Sequence, residues 1–159
     1  MAMTTRLDNY FKQHEIHYQT LTHDHSQSSL QSGVEAGIPL NHLAKAVVLE
    51  DHQGRHLMAI LPASAKANIS VLNEAFNASF RLVKEREVYH MFTDCENGAV
   101  PPVGEAYHMA MVCDTVLSSL DYVYLEAGDH ETLIKLDKEA FSELMKHSRH
   151  MHFSSRVFH

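Results

Sequence analysis

The chain has 159 residues, 45% of them apolar, and a formal charge of −7, which suits one domain, residues 1–159, with its own core. The acidic balance argues against a broad electrostatic grip on nucleic acid but leaves room for a small site that reads one nucleic-acid end. No segment approaches the roughly 20 apolar residues of a membrane helix, and no apolar run follows a basic start, so neither a spanning segment nor a secretory leader is expected.

In chain order, residues 5–14 predict a short amphipathic helix, with Leu7, Tyr10 and Phe11 at helical spacing. Residues 16–21 alternate and predict a first strand. A polar stretch follows, with Asp24 or Ser26 as the expected cap of a helix over 28–36. Gly37 is the left-handed stop of that helix, and Pro39 lies just beyond it. Residues 43–49 and 56–61 predict a hairpin about the turn Asp51-His52-Gln53-Gly54, ended by Pro62. A helix over 70–76 capped by Ser70, a strand over 80–83 and a helix over 84–92 come next. The loop from Cys95 to Gly104 then breaks the pattern. Short strands are expected over 109–113, 122–125 and 132–136, and a last helix over 138–145 begins at an Asp137 cap. From His147 onward the tail is polar and reads as an edge strand or as disordered. Helices and strands interleave without a βαβ period, which favours an α+β fold with a mixed or antiparallel sheet.

Two segments carry chemistry. Lys45 stands at the mouth of Leu43-Ala44-Lys45-Ala46-Val47-Val48-Leu49, an apolar, β-prone run. A lysine there is ordinarily a solvated charge; in a pocket it is a compact cation for phosphate. The second segment is Gly98-Ala99-Val100-Pro101-Pro102-Val103-Gly104. Gly98 permits close approach of a ligand, while Pro101 and Pro102 stiffen the loop and hold the other N–H groups in fixed directions. Such a loop is either a plain surface connection or a set of donors for a carbonyl oxygen or oxyanion.

These segments, with Tyr124-Leu125-Glu126-Ala127-Gly128 ahead of the last predicted strand, resemble the YbaK/prolyl-tRNA-synthetase-associated domain family of aminoacyl-tRNA editing deacylases. The resemblance runs from about Ile16 to about Leu144. It implies a YbaK-like α+β fold and hydrolysis, without a cofactor or metal, of the ester that joins a misattached amino acid to tRNA. It implies that Lys45 contacts the terminal nucleotides and that Gly98, Ala99, Val100, Pro101 and Pro102 form the catalytic loop. Gly128 and His130 fall where some relatives place a substrate-binding histidine after the late strand. The loop departs from the commoner family form in having Asn97 before Gly98 and two adjacent prolines. The implied partners are the tRNA acceptor end and, in some settings, an aminoacyl-tRNA synthetase, in the cytosol. The rival reading is a non-catalytic module that binds tRNA ends or a protein; a third is a small-molecule sensor.

Other signals are weaker. Arg81, Lys84 and Arg86 form the one local bunch of positive charge. His23 and His25 flank Asp24, and His147, His150 and His152 cluster late, but their spacing matches no zinc motif, so solvated histidines are expected. Cys95 lies beside the Gly/Pro loop, where an incidental thiol is favoured over a nucleophile; Cys113 is expected to be buried. There is no G-x-S-x-G elbow and no phosphate-binding glycine loop of the Walker or dinucleotide type.

Overall fold

The computed structural model describes residues 5–26, 28–96 and 99–156. Helix α1 spans Thr5–Gln13, followed by β1 (Gln19–Thr22), α2 (Ser29–Ala36), β2 (Leu43–Glu50), β3 (His56–Pro62) and β4 (Ala65–Ala67). Next come α3 (Ile69–Phe76), β5 (Arg81–Leu82), α4 (Glu85–Met91), β6 (Ala110–Asp114) and α5 (Thr115–Ser118). The chain closes with β7 (Tyr122–Glu126), β8 (Thr132–Asp137), α6 (Lys138–Leu144), β9 (Arg149–Met151) and β10 (Ser154–Arg156). Single 3₁₀ turns lie at Leu40–His42 and Gly104–Tyr107.

The principal sheet runs β1-β8-β7-β2-β3-β6-β9, with β5 also on β2, while β4 and β10 form a separate antiparallel pair. The β7–β2, β3–β6 and β6–β9 ladders are parallel and the others antiparallel. The expected α+β fold with a mixed sheet is therefore present. The central strands β2 and β3 are covered on both faces, which is why they read as continuous apolar runs rather than alternating ones. Ala44, Val48, Met58 and Ile60 face a core shared with Leu7 and Phe11 of α1 and Phe141 and Leu144 of α6. On the opposite face, Leu49, Leu57, Ala59 and Leu61 pack with Leu72 of α3 and Phe153. Leu43 belongs to a smaller group with Ala36, Ile38, Tyr124 and Leu133.

Local chemistry explains several boundaries. Gly37 caps α2 at φ 69°, and Asp137 caps α6 through the Ala140 N–H. Asp51 Oδ1 accepts from the N–H groups of Gln53 and Arg55 at 2.8 and 2.9 Å, which closes the hairpin turn. Two expected caps are wrong by a few residues. Ser28, not Asp24 or Ser26, accepts from Gln31 N, and Asn68, not Ser70, accepts from Val71 N. In each case the capping side chain sits three residues before the amide it binds, and a second polar residue nearby blurred the choice. The tail is ordered into β9 and β10 across 149–156, with Asp114 as its anchor: Oδ2 accepts from the N–H groups of Phe153 and Ser154 at 3.1 and 2.9 Å. Strand β4 and helix α5 are too short for periodicity to reveal.

Gly104, the last residue of the Gly/Pro loop motif, is needed for space. A Cβ there would lie 2.6 Å from Met111 Cγ and 2.8 Å from the Met109 carbonyl oxygen. Gly104→Ala is expected to cost about 1–3 kcal/mol through overpacking. Equilibrium denaturant unfolding checks this; an unchanged midpoint would contradict it.

Candidate functional site

The site begins at a split in the sheet. One edge of β2 is shared by two strands. Its start pairs with β7 (Leu43 with Tyr124, Ala44 with Leu125) and its end with β5 (Leu49 with Leu82, Glu50 with Arg81). Between them Lys45, Ala46 and Val47 are partly exposed, although Ala44 and Val48 on either side are buried. One edge of this central strand is thus left outside both ladders at its middle. Lys45 shares a sheet face with Leu43 and with Leu61, its partner on β3. It stands between the apolar group under α2 and the one under α3.

The Lys45 ammonium has no hydrogen bond or ion pair with another described residue. Burial in this apolar setting pushes its pKa down, since desolvation disfavours the charged form. The other candidate cations nearby are engaged: Arg81 binds Glu50 at 3.0 Å, and the Lys135 ammonium lies 4.8 Å from the Tyr122 ring centre. Lys45 is therefore a partly buried cation with no anionic partner among the described residues.

The turn between β7 and β8 is also tightly fixed. Gly128 (φ 108°) and His130 (φ 57°) take left-handed backbone, and Asp129 fixes the turn by accepting from Glu131 N, Thr132 N and Thr132 Oγ1. The Gly128 carbonyl accepts from Glu96 N at 2.8 Å, which ties this turn to the start of the Gly/Pro loop. His130 is buried, with Nδ1 3.0 Å from Glu126 Oε2 and 3.4 Å from Ser32 Oγ. Ser32 Oγ donates to Glu126 Oε2 at 3.1 Å and lies 2.6 Å from Ser26 Oγ. Continuing the β2–β7 register puts Glu126 level with Lys45 on the same face. At the rim, His25 Nε2 is 2.7 Å from Glu96 Oε1.

Of the expected loop, Gly98 and its neighbour Asn97 lie outside the described residues. Ala99, Pro101 and Pro102 are buried and Val100 is partly exposed. The N–H of Ala99 already donates to Glu96 O at 3.0 Å and that of Val103 to Pro101 O at 2.8 Å. Prolines have no N–H, so across 99–103 the Val100 amide is the only main-chain donor with no backbone acceptor among the described residues. The register thus sets Lys45 level with Glu126, and the Glu96–Gly128 bond ties the start of the loop to the Gly128–His130 turn, where His130 is buried. Glu126, Ser32 and Glu96 were not singled out from sequence. The one available signal was an acidic residue closing the apolar β7 run.

Cys95 Sγ lies 3.3 Å from Tyr107 Oη, and burial, with the Asp94 carboxylate adding to it, pushes the thiol up to about 12. Burial likewise pushes Cys113 up to about 12. Both shifts favour the thiol form near neutrality, which argues against Cys95 as a nucleophile. Both thiols are expected to resist a disulfide exchange reagent at pH 8 in the folded protein and to react fully in denaturant. Fast labelling of the folded protein would contradict this. Among the described residues no group of three His, Cys, Asp or Glu side chains is arranged to hold a metal, and no helix is long and apolar enough to cross a membrane.

Comparison with known proteins fits this geometry. No curated protein sequence matches the chain. Among solved structures, hypothetical protein APE2540 aligns with a TM-score of 0.83 at 20% identity, covering 94% of this chain and 99% of that one. A candidate trans-editing enzyme for prolyl-tRNA synthetase aligns with a TM-score of 0.80 at 14% identity, covering 94% and 95%. A candidate signal transduction protein from Marinobacter aquaeolei aligns at 0.74 and 20% identity, covering 94% of this chain but 30% of that one. At these identities the likeness establishes the fold. The sequence itself matches the model of the aminoacyl-tRNA editing domain over residues 23–144, and the chain belongs to that family.

Proposed function

We propose that this protein is a free-standing trans-editing hydrolase that cleaves the ester of misacylated tRNA in the cytoplasm. The observation that carries the reading is Lys45: a partly buried cation without a described partner, beside the interrupted edge of β2 in an editing-domain chain. The fold neighbour described as a candidate trans-editing enzyme supports the same class of reaction.

The substrate ends in an adenosine whose ribose carries an aminoacyl ester. That ester is already activated, so the protein has to bind it, orient a water and stabilise the developing oxyanion. Lys45 holds a backbone phosphate of the terminal nucleotides. The loop from Gly98 to Pro102 supplies the main-chain groups around the ester; one well-aimed donor contributes about 2.7–4 kcal/mol to transition-state stabilisation. The ribose hydroxyl beside the ester orients the water or passes on its proton. Ala99 and Val100 form part of a wall that admits a small amino acid and excludes a larger one. Gly128 and His130 support this wall, with His130 held by Glu126. The reaction uses no metal or cofactor in this scheme, and an aminoacyl-tRNA synthetase would supply the wider tRNA contact that an acidic chain lacks.

Turnover separates this reading from a non-catalytic module on the same fold. Under substrate excess, the hydrolase releases many amino acids per protein molecule, whereas a module saturates at one bound tRNA with ester loss at the buffer rate. Gly98→Ala with an intact fold and undiminished turnover would remove the loop from the mechanism.

A further inference from the structure

The split in the sheet leaves one residue's main chain outside both ladders. Val48 O accepts from Val83 N at 3.0 Å, so the Val48 N–H and C=O point to the edge that β5 and β7 share. Within a strand, alternate residues direct their main-chain groups to the same edge. Ala44 and Ala46 therefore face that edge too, while Lys45 and Val47 face β3, opposite Leu61 and Ala59. Ala44 is taken up by the ladder with β7, and Glu50 by the ladder with β5. Ala46 falls between the two ladders: the pairing with β7 stops at Ala44 and the pairing with β5 begins at Leu49. Its N–H and C=O lie on that edge beside Lys45, in a stretch that is partly exposed.

An unpaired donor and acceptor in the middle of a central strand is an uncommon arrangement, because buried main-chain groups are nearly always paired. It also has a chemical complement. An aminoacyl ester carries an α-ammonium and a carbonyl on either side of one carbon, the spacing of a residue's own N–H and C=O. Two residues facing each other in an antiparallel pair exchange both bonds.

We propose that the aminoacyl group docks on Ala46 as a one-residue strand: its α-ammonium donates to the Ala46 carbonyl and its ester carbonyl accepts from the Ala46 N–H. Lys45, the preceding residue, then binds the phosphate of the same nucleotide end. This deepens the editing reading and rests on it. It gives the site a means of recognising the backbone common to all α-amino acids, apart from the wall that measures the side chain. The Ala46 N–H also polarises the scissile carbonyl, adding a fixed donor to those of the loop.

The test is residue-resolved amide exchange by NMR on the full chain. The probe is a cytidylyl-adenosine dinucleotide whose 3′-amino group carries glycine, alanine or serine through a stable amide. In the free protein the Ala46 amide is expected to exchange about 100-fold faster than those of Lys45 and Val47, because it lacks their cross-strand partner. With saturating probe, Ala46 is expected to become protected and its proton to move downfield, while the Lys45 side-chain signals shift. Equal protection of Ala46, Lys45 and Val47 in the free protein would overturn the proposal. So would binding that shifts Lys45 and leaves Ala46 exchange unchanged, an outcome that spares the editing reading. If none of the three probes perturbs either residue, the editing reading fails and the proposal with it.

Discussion

Replacing Lys45 by alanine is expected to lower kcat/KM for ester hydrolysis by about 10- to 150-fold, the equivalent of about 1.5–3 kcal/mol for one charged hydrogen bond. The reasoning starts from the cost of the residue in the free protein. Lys45 sits on a central strand of the sheet, between two apolar groups, and burial holds its pKa below the usual lysine value. An ammonium in that setting without a described anion destabilises the fold, and under the proposed function a substrate phosphate supplies the missing charge. The loss of activity is therefore expected without a loss of stability.

The pH dependence carries the same sign. Because the folded pKa of Lys45 is lowered, the unfolded chain binds more protons between that value and the usual one near 10.5. Wild-type stability should accordingly gain a small rising contribution as pH climbs through that window. Lys45→Met should lack this contribution. Lys45→Arg is not expected to restore activity, since a planar, longer guanidinium does not substitute for a compact ammonium in a shaped pocket. Deacylation rates for the three variants, read beside denaturant unfolding at pH 7 and pH 10, check these statements together. A Lys45→Ala protein that unfolds easily and keeps its rate would contradict them.

Asp114→Ala is expected to produce the largest change in stability, about 3–5 kcal/mol, a sizeable part of what a domain of this size has. Asp114 is fully buried, and its Oδ1 caps α5 by accepting from Val116 N at 2.9 Å. Its Oδ2 accepts from Phe153 N and Ser154 N, and His152 Nδ1 lies 3.1 Å from Oδ1. One carboxylate thus joins α5 to the last two strands, and its removal leaves several enclosed N–H groups without an acceptor. Burial alone would raise its pKa, but the donors from Ser154, Val116, Phe153 and His152 outweigh it and hold the value below the usual carboxylate one. For a depressed carboxyl the stabilisation is complete above the ordinary carboxylate range and fades as pH falls through the folded value. The gap between wild type and Asp114→Ala should therefore be constant from pH 5 to 7 and narrow in stronger acid. Limited proteolysis should find the variant newly open near residues 146–153. A variant with a wild-type unfolding midpoint would contradict the assignment of Asp114 as the anchor.

The parts of the fold governed by local chemistry were legible in the sequence. The β2–β3 hairpin was announced by apolar runs around Asp51 to Gly54, and the end of α2 by Gly37. Lys45 stood out because a charge interrupts an apolar strand. What the sequence concealed is non-local. The split on β2 exists because β5 and β7, some 40 residues apart, meet the same edge at different heights. The Ser32–Glu126–His130 cluster draws on α2 and the β7–β8 turn. Strands β9 and β10 are polar and short, and their order comes from Asp114, not from their own propensity. In each case the deciding contact joins segments that no spacing rule connects.

The most direct test of the central claim is deacylation of a panel of correctly and incorrectly charged tRNAs by the wild-type protein, with Lys45→Ala in parallel. The account predicts rapid, multiple-turnover loss of one small misattached amino acid, sparing of the correct one, and a rate reduced at least about tenfold in the variant. Ester loss at the buffer rate from every member of the panel, with tRNA still bound, would contradict it and leave a binding module on an editing fold.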